Sequence, residues 1–161
     1  MPQYRIATKA DLPEICMLGE EINELHHLAW PHIFASTGQP LRDYEHWLKF
    51  VEHENAIMYV AVTAGTITGF VTVDVITVTH SLLQPIRYAR VGSVGVTKSL
   101  RDQGIGKELM ALAEKWALDR GGFELRLDVY SFNEHAIQMY RELGFDVISH
   151  SMSKRMSPNG A

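Results

Sequence analysis

Residues 101–107, Arg-Asp-Gln-Gly-Ile-Gly-Lys, lie between an apolar run typical of a buried strand and an amphipathic stretch typical of a helix. The first N–H groups of a helix have no intrahelical acceptor, and the helix dipole adds partial positive charge there. Gly104 and Gly106 have no side chain that would block an anion, and Arg101 and Lys107 add positive charge. The segment therefore predicts a phosphate-binding loop.

Two well-known phosphate motifs do not fit this segment. A dinucleotide fingerprint, G-x-G-x-x-G, fails because Leu109 stands where the third glycine is needed. A Walker A loop fails because Glu108 stands where a serine or threonine is needed. The pattern that remains is Arg101-x-x-Gly104-x-Gly106. By itself it is equally compatible with a glycine-rich turn before an ordinary helix.

Composition and charge narrow the class of protein. The 161 residues suffice for one domain with a sizeable core, which we place at 1–156 with a flexible tail at 157–161. A formal net charge of −4 does not favour nucleic-acid binding, which needs a basic face. Cys16, the single cysteine, excludes an internal disulfide and a cysteine-based metal cluster and is expected to be buried. With no signal sequence at the N-terminus, these features favour a cytoplasmic location.

Hydrophobic periodicity predicts alternating strands and helices. The uncharged run 56–73 is long enough to suggest a membrane helix, but its threonines and glycines favour two strands joined by a turn near Gly65. Asp11 is expected to cap the first helix, and Ser131 with Glu134 to form a capping box for the last one. The expected strands are 4–7, 57–63, 67–78, 88–97, 124–130 and 145–155, and the later helices are about 41–52, 104–120 and 134–143.

This order of elements, and two motifs within it, resemble the GNAT superfamily of N-acetyltransferases over nearly the whole chain. Arg101-x-x-Gly104-x-Gly106 resembles the acetyl-CoA pyrophosphate loop of that family, R/Q-x-x-G-x-G/A. A second family signature is matched by Leu127-x-Val129-x-x-x-Asn133-x-x-Ala136-x-x-x-Tyr140-x-x-x-Gly144-Phe145. The resemblance implies an α/β (α+β) GNAT fold. Its mixed central sheet would be splayed between the fourth strand (88–97) and the fifth (124–130), with helices on both faces.

The resemblance also implies acetyl-CoA as cosubstrate. Backbone N–H groups at the helix start would hold the pyrophosphate, and the fourth strand would pair with pantetheine, with an N–H near Val94 polarising the thioester oxygen. Asn133 would bond the pantetheine arm, and a plain helix cap is an alternative that can coexist with this role. Asp102 is expected to point to solvent. The residues expected at the cofactor are Val94, Gly95, Val96, Arg101, Asp102, Gln103, Gly104, Ile105, Gly106, Lys107 and Asn133.

Proton transfer needs an acid and a base. Tyr140 matches the general acid of the family, which gives a proton to the leaving thiolate, whereas simple aromatic packing is the alternative. Gly92 and Ser93 stand where many members carry a carboxylate base. We therefore expect a base that acts through water, with Ser93 orienting that water. The residues that could supply this base are His26, His27, His32, Asp74, His80 and Asp128.

The acceptor site is expected near the first two helices, where His26, His27, Trp30 and Phe34 would line a pocket for an amine. Packing between those helices is an equally good interpretation. We expect no metal, because no carboxylate or cysteine completes the histidines as a ligand set. A homodimer is expected from the family, and neither a nucleic acid nor a membrane is an expected partner.

The predicted function is direct transfer of the acetyl group of acetyl-CoA to a primary amine of a small molecule, or less favourably of a protein. The alternative is an acetyl-CoA-binding sensor or regulatory module with little catalysis. The lack of a carboxylate at Gly92 and Ser93 favours the sensor, and Tyr140 favours the enzyme.

Overall fold

The computed structural model describes residues 1–122 and 124–156 of the chain. The described residues group into two compact units, 1–130 and the residues from Ser131 onward. The strands are β1 Gln3–Ile6, β2 Ala56–Thr63, β3 Thr66–Val78, β4 Ile86–Val96 and β5 Leu125–Leu127. The helices are α1 Leu12–Ala29, α2 Tyr44–Glu52, α3 Ile105–Asp119 and α4 Glu134–Glu142. Short 3₁₀ turns occupy Lys9–Asp11, Pro40–Asp43 and Lys98–Leu100.

All five strands of the first unit form one mixed sheet in the order β1-β2-β3-β4-β5. Neighbours are antiparallel except β4 and β5, which are parallel. The uncharged run 56–73 forms most of the β2–β3 hairpin. Ala64 and Gly65 make its turn, both with positive φ, 51° and 82°, as a two-residue turn requires when its twist must match that of the strands. No helix within the described ranges is long and apolar enough to cross a membrane.

The β4 and β5 strands separate partway along β4, as the GNAT resemblance predicts. They pair over Ala89↔Leu125, Arg90↔Arg126 and Val91↔Leu127. β4 continues to Val96 and keeps β3 as its neighbour over that stretch. The second half of β4 therefore has one edge in the sheet and the other beyond the end of β5. The strand predicted at 124–130 is shorter than expected because only this short pairing supports it.

Helices cover both faces of the sheet. α1 and α2 pack on one face over a core that includes Leu12, Ile15, Cys16, Phe50 and Phe70, so the expected burial of Cys16 is confirmed. α3 packs on the other face through Ile105, Leu109, Met110, Ala113, Trp116 and Ala117. Gly69 in β3 permits this approach, since a Cβ there would lie 3.1 Å from Leu109 Cδ1 and 3.2 Å from Ile105 Cγ2.

Asp11 precedes α1, but it does not cap the helix as predicted. Its carboxylate accepts hydrogen bonds from Thr8 N at 2.7 Å and from both terminal nitrogens of Arg5 at 2.7 and 2.8 Å. The short 3₁₀ turn before α1 points the carboxylate back toward β1 rather than along the helix. The Arg5 guanidinium lowers the pKa of Asp11 to about 2, so this ion pair joins β1 to the start of α1.

The second unit contains α4. Asn133, rather than the predicted Ser131, caps this helix: Ala136 N donates to Asn133 Oδ1 at 3.3 Å. The strand predicted at 145–155 is wrong for this structure, because residues 145–156 contain no strand and expose Val147, Ile148 and Met152. Alternating apolar residues favour a strand only where a neighbouring strand pairs with the backbone. The predicted tail at 157–161 lies outside the described residues.

Candidate functional site

The predicted phosphate loop lies between the end of β4 and the start of α3. Gly104 immediately precedes α3 with φ of 84°, a conformation that favours glycine. Asp102, Gln103 and Gly104 are exposed, so the expectation that Asp102 faces solvent holds. The first N–H groups of α3 have no carbonyl within the helix to accept them, and Ile105 and Gly106 belong to this turn. The loop presents backbone donors that suit a phosphate.

Two side chains anchor the approach to this loop. Arg101 Nε donates to the carbonyl oxygen of Val96 at 3.1 Å, so the arginine holds the loop against the end of β4. The Glu21 carboxylate on α1 accepts from Thr97 Oγ1 at 2.9 Å and from Lys98 N at 2.5 Å. Sequence reasoning placed Arg101 at the cofactor but did not predict its bond to Val96, and it did not find Glu21, because the partners of both side chains are backbone and hydroxyl groups brought near by folding.

A β-bulge interrupts β4 where it leaves β5. Thr72 of β3 pairs with Ser93 and Val73 pairs with Val91, so Gly92 is an extra residue without a partner in β3. The Thr72 hydroxyl, fully buried, accepts from Ser93 N at 2.9 Å and holds the bulge. A Cβ on Gly92 would lie 2.9 Å from Thr72 Oγ1 and 3.3 Å from Phe50 Cζ. Any side chain at position 92 would therefore require Thr72 or Phe50 to shift.

The predicted pantetheine-binding stretch, Val94, Gly95 and Val96, follows this bulge. These residues pair with Val71, Phe70 and Gly69 of β3, and their other edge faces the space beyond β5. Gly95 leaves room for α1, because a Cβ there would lie 1.8 Å from Ile22 Cδ1 and would force that side chain to move. The site thus runs along β4 from the bulge to the phosphate loop.

Two cavities lie on the α1 and α2 side of the bulge. The first, here the α1 cavity, has a volume of about 380 Å³ and is lined by α1, α2 and the segment between them, including Asn23, His26, Phe34 and Asp43. The second, here the α2 cavity, measures about 320 Å³ and is lined by Lys49, Arg90 and Asp128 among others. His46 and Ser93 line both cavities.

The predicted acceptor residues form an aromatic cluster. Phe34 stacks edge-on against His26, with ring centroids 4.9 Å apart, and Tyr130 lies 4.8 Å from Phe34 and 5.5 Å from Trp30. Only His26 and Phe34 of the predicted four line the α1 cavity. His27 is held elsewhere, with its Nδ1 2.8 Å from the carbonyl oxygen of Phe34. Sequence reasoning missed Tyr130, which is far from the others along the chain.

The structure separates the six candidate bases. The Asp74 carboxylate forms a bidentate ion pair with Arg90, whose Nη2 donates at 2.6 Å and Nε at 3.1 Å. His80 accepts from Leu82 N at 3.1 Å in the β3–β4 turn, outside both cavities. His32 packs near Trp30, with centroids 6.4 Å apart. His26 lines the α1 cavity and Asp128 lines the α2 cavity.

His46 was missing from the predicted bases, although it lines both cavities beside Ser93. Partial desolvation lowers the pKa of its imidazole although the residue is exposed, the Lys49 ammonium lowers it further, and the Asp43 carboxylate raises it in part. A signal was present in the sequence: His46 precedes Trp47 and lies four residues before Phe50, so it borders the buried stripe of α2.

Tyr140 and Asn133 belong to the second unit. Tyr140 is 9% exposed, and burial raises the pKa of its phenol to about 12. Its ring contacts Phe145 edge-on, with centroids 5.8 Å apart. The phenol therefore stays protonated at neutral pH, which a general acid requires. Within residues 1–122 and 124–156, no three histidine, cysteine, aspartate or glutamate side chains cluster as a metal site would need.

Comparison with known proteins gives the family. The model of the acetyltransferase (GNAT) family matches residues 20–145, whereas no curated protein matches the chain. A mutant of the BH1408 protein from Bacillus halodurans superimposes with a TM-score of 0.90 at 22% identity, covering 96% of this chain and 99% of that one. The aminoglycoside N-acetyltransferase AAC(6')-Iy in complex with CoA has a TM-score of 0.71 at 19% identity, covering 97% and 95%.

A third similar structure is the aminoglycoside acetyltransferase meta-AAC0020 from an uncultured soil metagenomic sample, in complex with sisomicin. Its TM-score is 0.68 at 17% identity, with 97% of this chain and 95% of that chain covered. At such identities the likeness shows the fold. The family match, which spans both predicted motifs, shows that this chain belongs to the GNAT family of acetyltransferases.

Proposed function

We propose that this protein transfers the acetyl group of acetyl-CoA directly to a primary amine of a small molecule. The observation that carries the proposal is the edge of β4 that extends past β5, from the bulge at Gly92 to the phosphate loop. An extended pantetheine arm can add to this edge as a further strand would. The pyrophosphate then reaches the N–H groups of residues 103–107 at the start of α3.

The two ends of this β4 edge bind different parts of acetyl-CoA. At the loop, the backbone of Gln103 to Lys107 binds the diphosphate, and Arg101 keeps the loop close to β4 through Val96. At the bulge, the N–H of Val94 polarises the thioester oxygen, and charge that develops there is stabilised by a donor already in position. Asn133 bonds the pantetheine arm as well as capping α4.

Catalysis further requires two proton transfers. The acceptor amine loses a proton to a base that acts through a water oriented by Ser93, and Tyr140 gives its phenolic proton to the thiolate of CoA. The high pKa of Tyr140, about 12, keeps that proton available over the usual assay range. No covalent enzyme intermediate is involved.

A small acceptor is favoured over a protein amine by the α1 cavity. Its volume of about 380 Å³ is in the range of small-molecule sites. His26 and Phe34 give it aromatic walls, with Trp30 and Tyr130 adjoining, and aromatic faces attract ammonium groups. The aminoglycoside acetyltransferases of the same fold support a small amine as the acceptor class.

Thiol release tests the function. Acetyl-CoA would be incubated with the protein and a panel of amines that includes polyamines, aminoglycosides, amino acids and a lysine peptide. We expect release of CoA thiol that depends on a small amine. Tight calorimetric binding of acetyl-CoA without acceptor-dependent thiol release would instead support the sensor alternative.

The role of Tyr140 has its own test. Tyr140→Phe should lower kcat by about 100-fold or more, because a positioned general acid contributes roughly 10²–10⁴ in rate, while acetyl-CoA affinity barely changes. Tyr59→Phe, which removes a hydroxyl from β2, is the matched control and should keep full activity. Unchanged turnover in Tyr140→Phe would remove the acid assignment.

A further inference from the structure

His46 stands where the two cavities meet. It lines both of them together with Ser93, the residue after the bulge. The inference that follows depends on the proposed acetyl transfer and concerns the base, which β4 itself lacks at Gly92 and Ser93. The α2 helix faces those two positions, so it can supply what the strand does not.

His46 is exposed, and two buried aromatic rings flank its imidazole. Its centroid lies 4.5 Å from the Trp47 ring and 5.9 Å from the Phe50 ring, both edge-on. Trp47 is itself packed on Phe70, with centroids 5.0 Å apart. Phe50 Cζ lies 3.3 Å from the point where a Cβ of Gly92 would be. The imidazole, Phe50 and Gly92 thus lie in sequence from α2 to the bulge.

The missing side chain at position 92 is part of the same arrangement. Phe50 borders the position that a Cβ of Gly92 would occupy, and the Phe50 ring in turn neighbours the imidazole. His46, Phe50, Gly92 and Ser93 all line the α2 cavity.

We propose that His46 is the catalytic base that removes the proton from the acceptor amine, directly or through a water held by Ser93. The lone pair of the amine nitrogen forms a bond to the thioester carbonyl carbon, and the C–S bond breaks. The proton of the nitrogen passes to the imidazole of His46, and the departing thiolate takes the phenolic proton of Tyr140. Solvent then receives the imidazolium proton and restores the phenol.

The charge environment of His46 is compatible with this role. Partial desolvation and Lys49 lower the pKa of the imidazole of the exposed His46, so it is neutral at pH 7 and can accept a proton. Asp43, which immediately precedes α2, opposes that shift and would stabilise the imidazolium when it forms. The other charged or titratable side chains that line the two cavities are Arg42, His26, Arg90 and Asp128.

Two substitutions test the base. His46→Gln keeps a polar side chain of similar reach without the titratable ring, and His46→Ala leaves room for a free imidazole. The matched control is His53→Gln, at the other end of α2 and outside both cavities. Each variant would be assayed with acetyl-CoA and the best amine of the panel, from pH 5 to 9. Thermal melting and calorimetric acetyl-CoA binding would be measured alongside.

We expect His46→Gln to lose about 100-fold or more in kcat/KM, within the usual range for a general base, with melting temperature and acetyl-CoA affinity preserved. The wild-type kcat/KM should rise with pH through an ionisation below about 6.5, the ordinary histidine pKa, and the variant should lack it. Added imidazole should restore activity to His46→Ala and leave His53→Gln unchanged.

The base assignment and the proposed function would be overturned by different results. An active wild type whose His46→Gln variant keeps its rate and its pH profile would overturn the base assignment alone. Loss of activity in His46→Ala that imidazole does not restore, together with an unchanged ionisation in His46→Gln, would also overturn it. A wild type without acceptor-dependent thiol release would overturn the proposed function, and the base with it.

Discussion

Thr72→Val probes the hydrogen bond that holds the β4 bulge. The substitution replaces a hydroxyl by a methyl group of similar size at a side chain that is 0% exposed. In the native chain, Thr72 Oγ1 accepts from Ser93 N at 2.9 Å. The variant leaves that N–H facing a methyl group, so the change removes an acceptor without creating a cavity.

The expected loss of stability follows because the part-buried N–H of Ser93 loses its hydrogen-bond acceptor. Such a loss costs about 1–3 kcal/mol in free energy of unfolding. For a protein of this size, about 2–4 °C in melting temperature corresponds to each kcal/mol, so we expect a decrease of roughly 2–12 °C. If the bulge shifts, 1–2 kcal/mol of lost transition-state stabilisation would lower kcat/KM by roughly 5- to 30-fold.

Thr68→Val is the matched control. Thr68 is also a buried threonine of β3, and its hydroxyl bonds to Thr63 Oγ1 at 3.0 Å and the Ala61 carbonyl at 3.3 Å. No backbone N–H loses its acceptor there, so we expect only about 0.5–1.5 kcal/mol and normal activity. Urea denaturation followed by circular dichroism, with thiol release, would measure both effects. A Thr72→Val variant no less stable and no less active than Thr68→Val would refute the reasoning.

Two more substitutions test the Arg5–Asp11 ion pair and the close approach of α1 to Gly95. Asp11→Asn should cost up to about 2 kcal/mol of stability at pH 7, because Arg5 lowers the folded-state pKa of Asp11 from 3.8 to about 2. That stability is present above pH about 4 and is lost as pH falls through about 2, so urea titrations at low pH should find the two proteins alike; a constant difference would contradict the ion pair. Gly95→Ala should cost about 1–3 kcal/mol by overpacking, since the new Cβ would lie 1.8 Å from Ile22 Cδ1. Ile22→Val deletes that atom and should recover part of the loss in the double variant; simply additive melting shifts would oppose the clash.

Several features of the fold follow from local sequence. Gly104 favours the left-handed conformation before α3, and Ala64 with Gly65 forms the hairpin turn, because each needs only neighbouring residues. The apolar periodicity of α3 likewise depends on one helix. The family signature at Asn133 and Tyr140 was visible for the same reason, although the roles of these two residues in catalysis stay predictions.

Pairing between distant segments could not be predicted in the same way. The predicted helix caps and the predicted strand at 145–155 depend on local patterns that other contacts can override. The Asp11 side chain pairs with Arg5 instead of capping α1, and Asn133 rather than Ser131 caps α4. Residues 145–156 contain no strand. Local preference amounts to fractions of a kcal/mol per residue, whereas an ion pair or a neighbouring strand changes the balance by more.

The sequence by itself determined the family and the order of the elements from β1 to α4, and it predicted a phosphate-binding role for the loop before α3, because these depend on residues close together in the chain. Only the tertiary structure decided the local shape of β4, the strand that leads into this loop, and which side chains lie next to it. The register of β3 against β4 makes Gly92 the extra residue, and helix α2 sets His46 and Phe50 in front of it. Register and helix packing arise from contacts between separate segments of the chain, such as Thr72 with Ser93 and Phe50 with Gly92, and no local spacing encodes them.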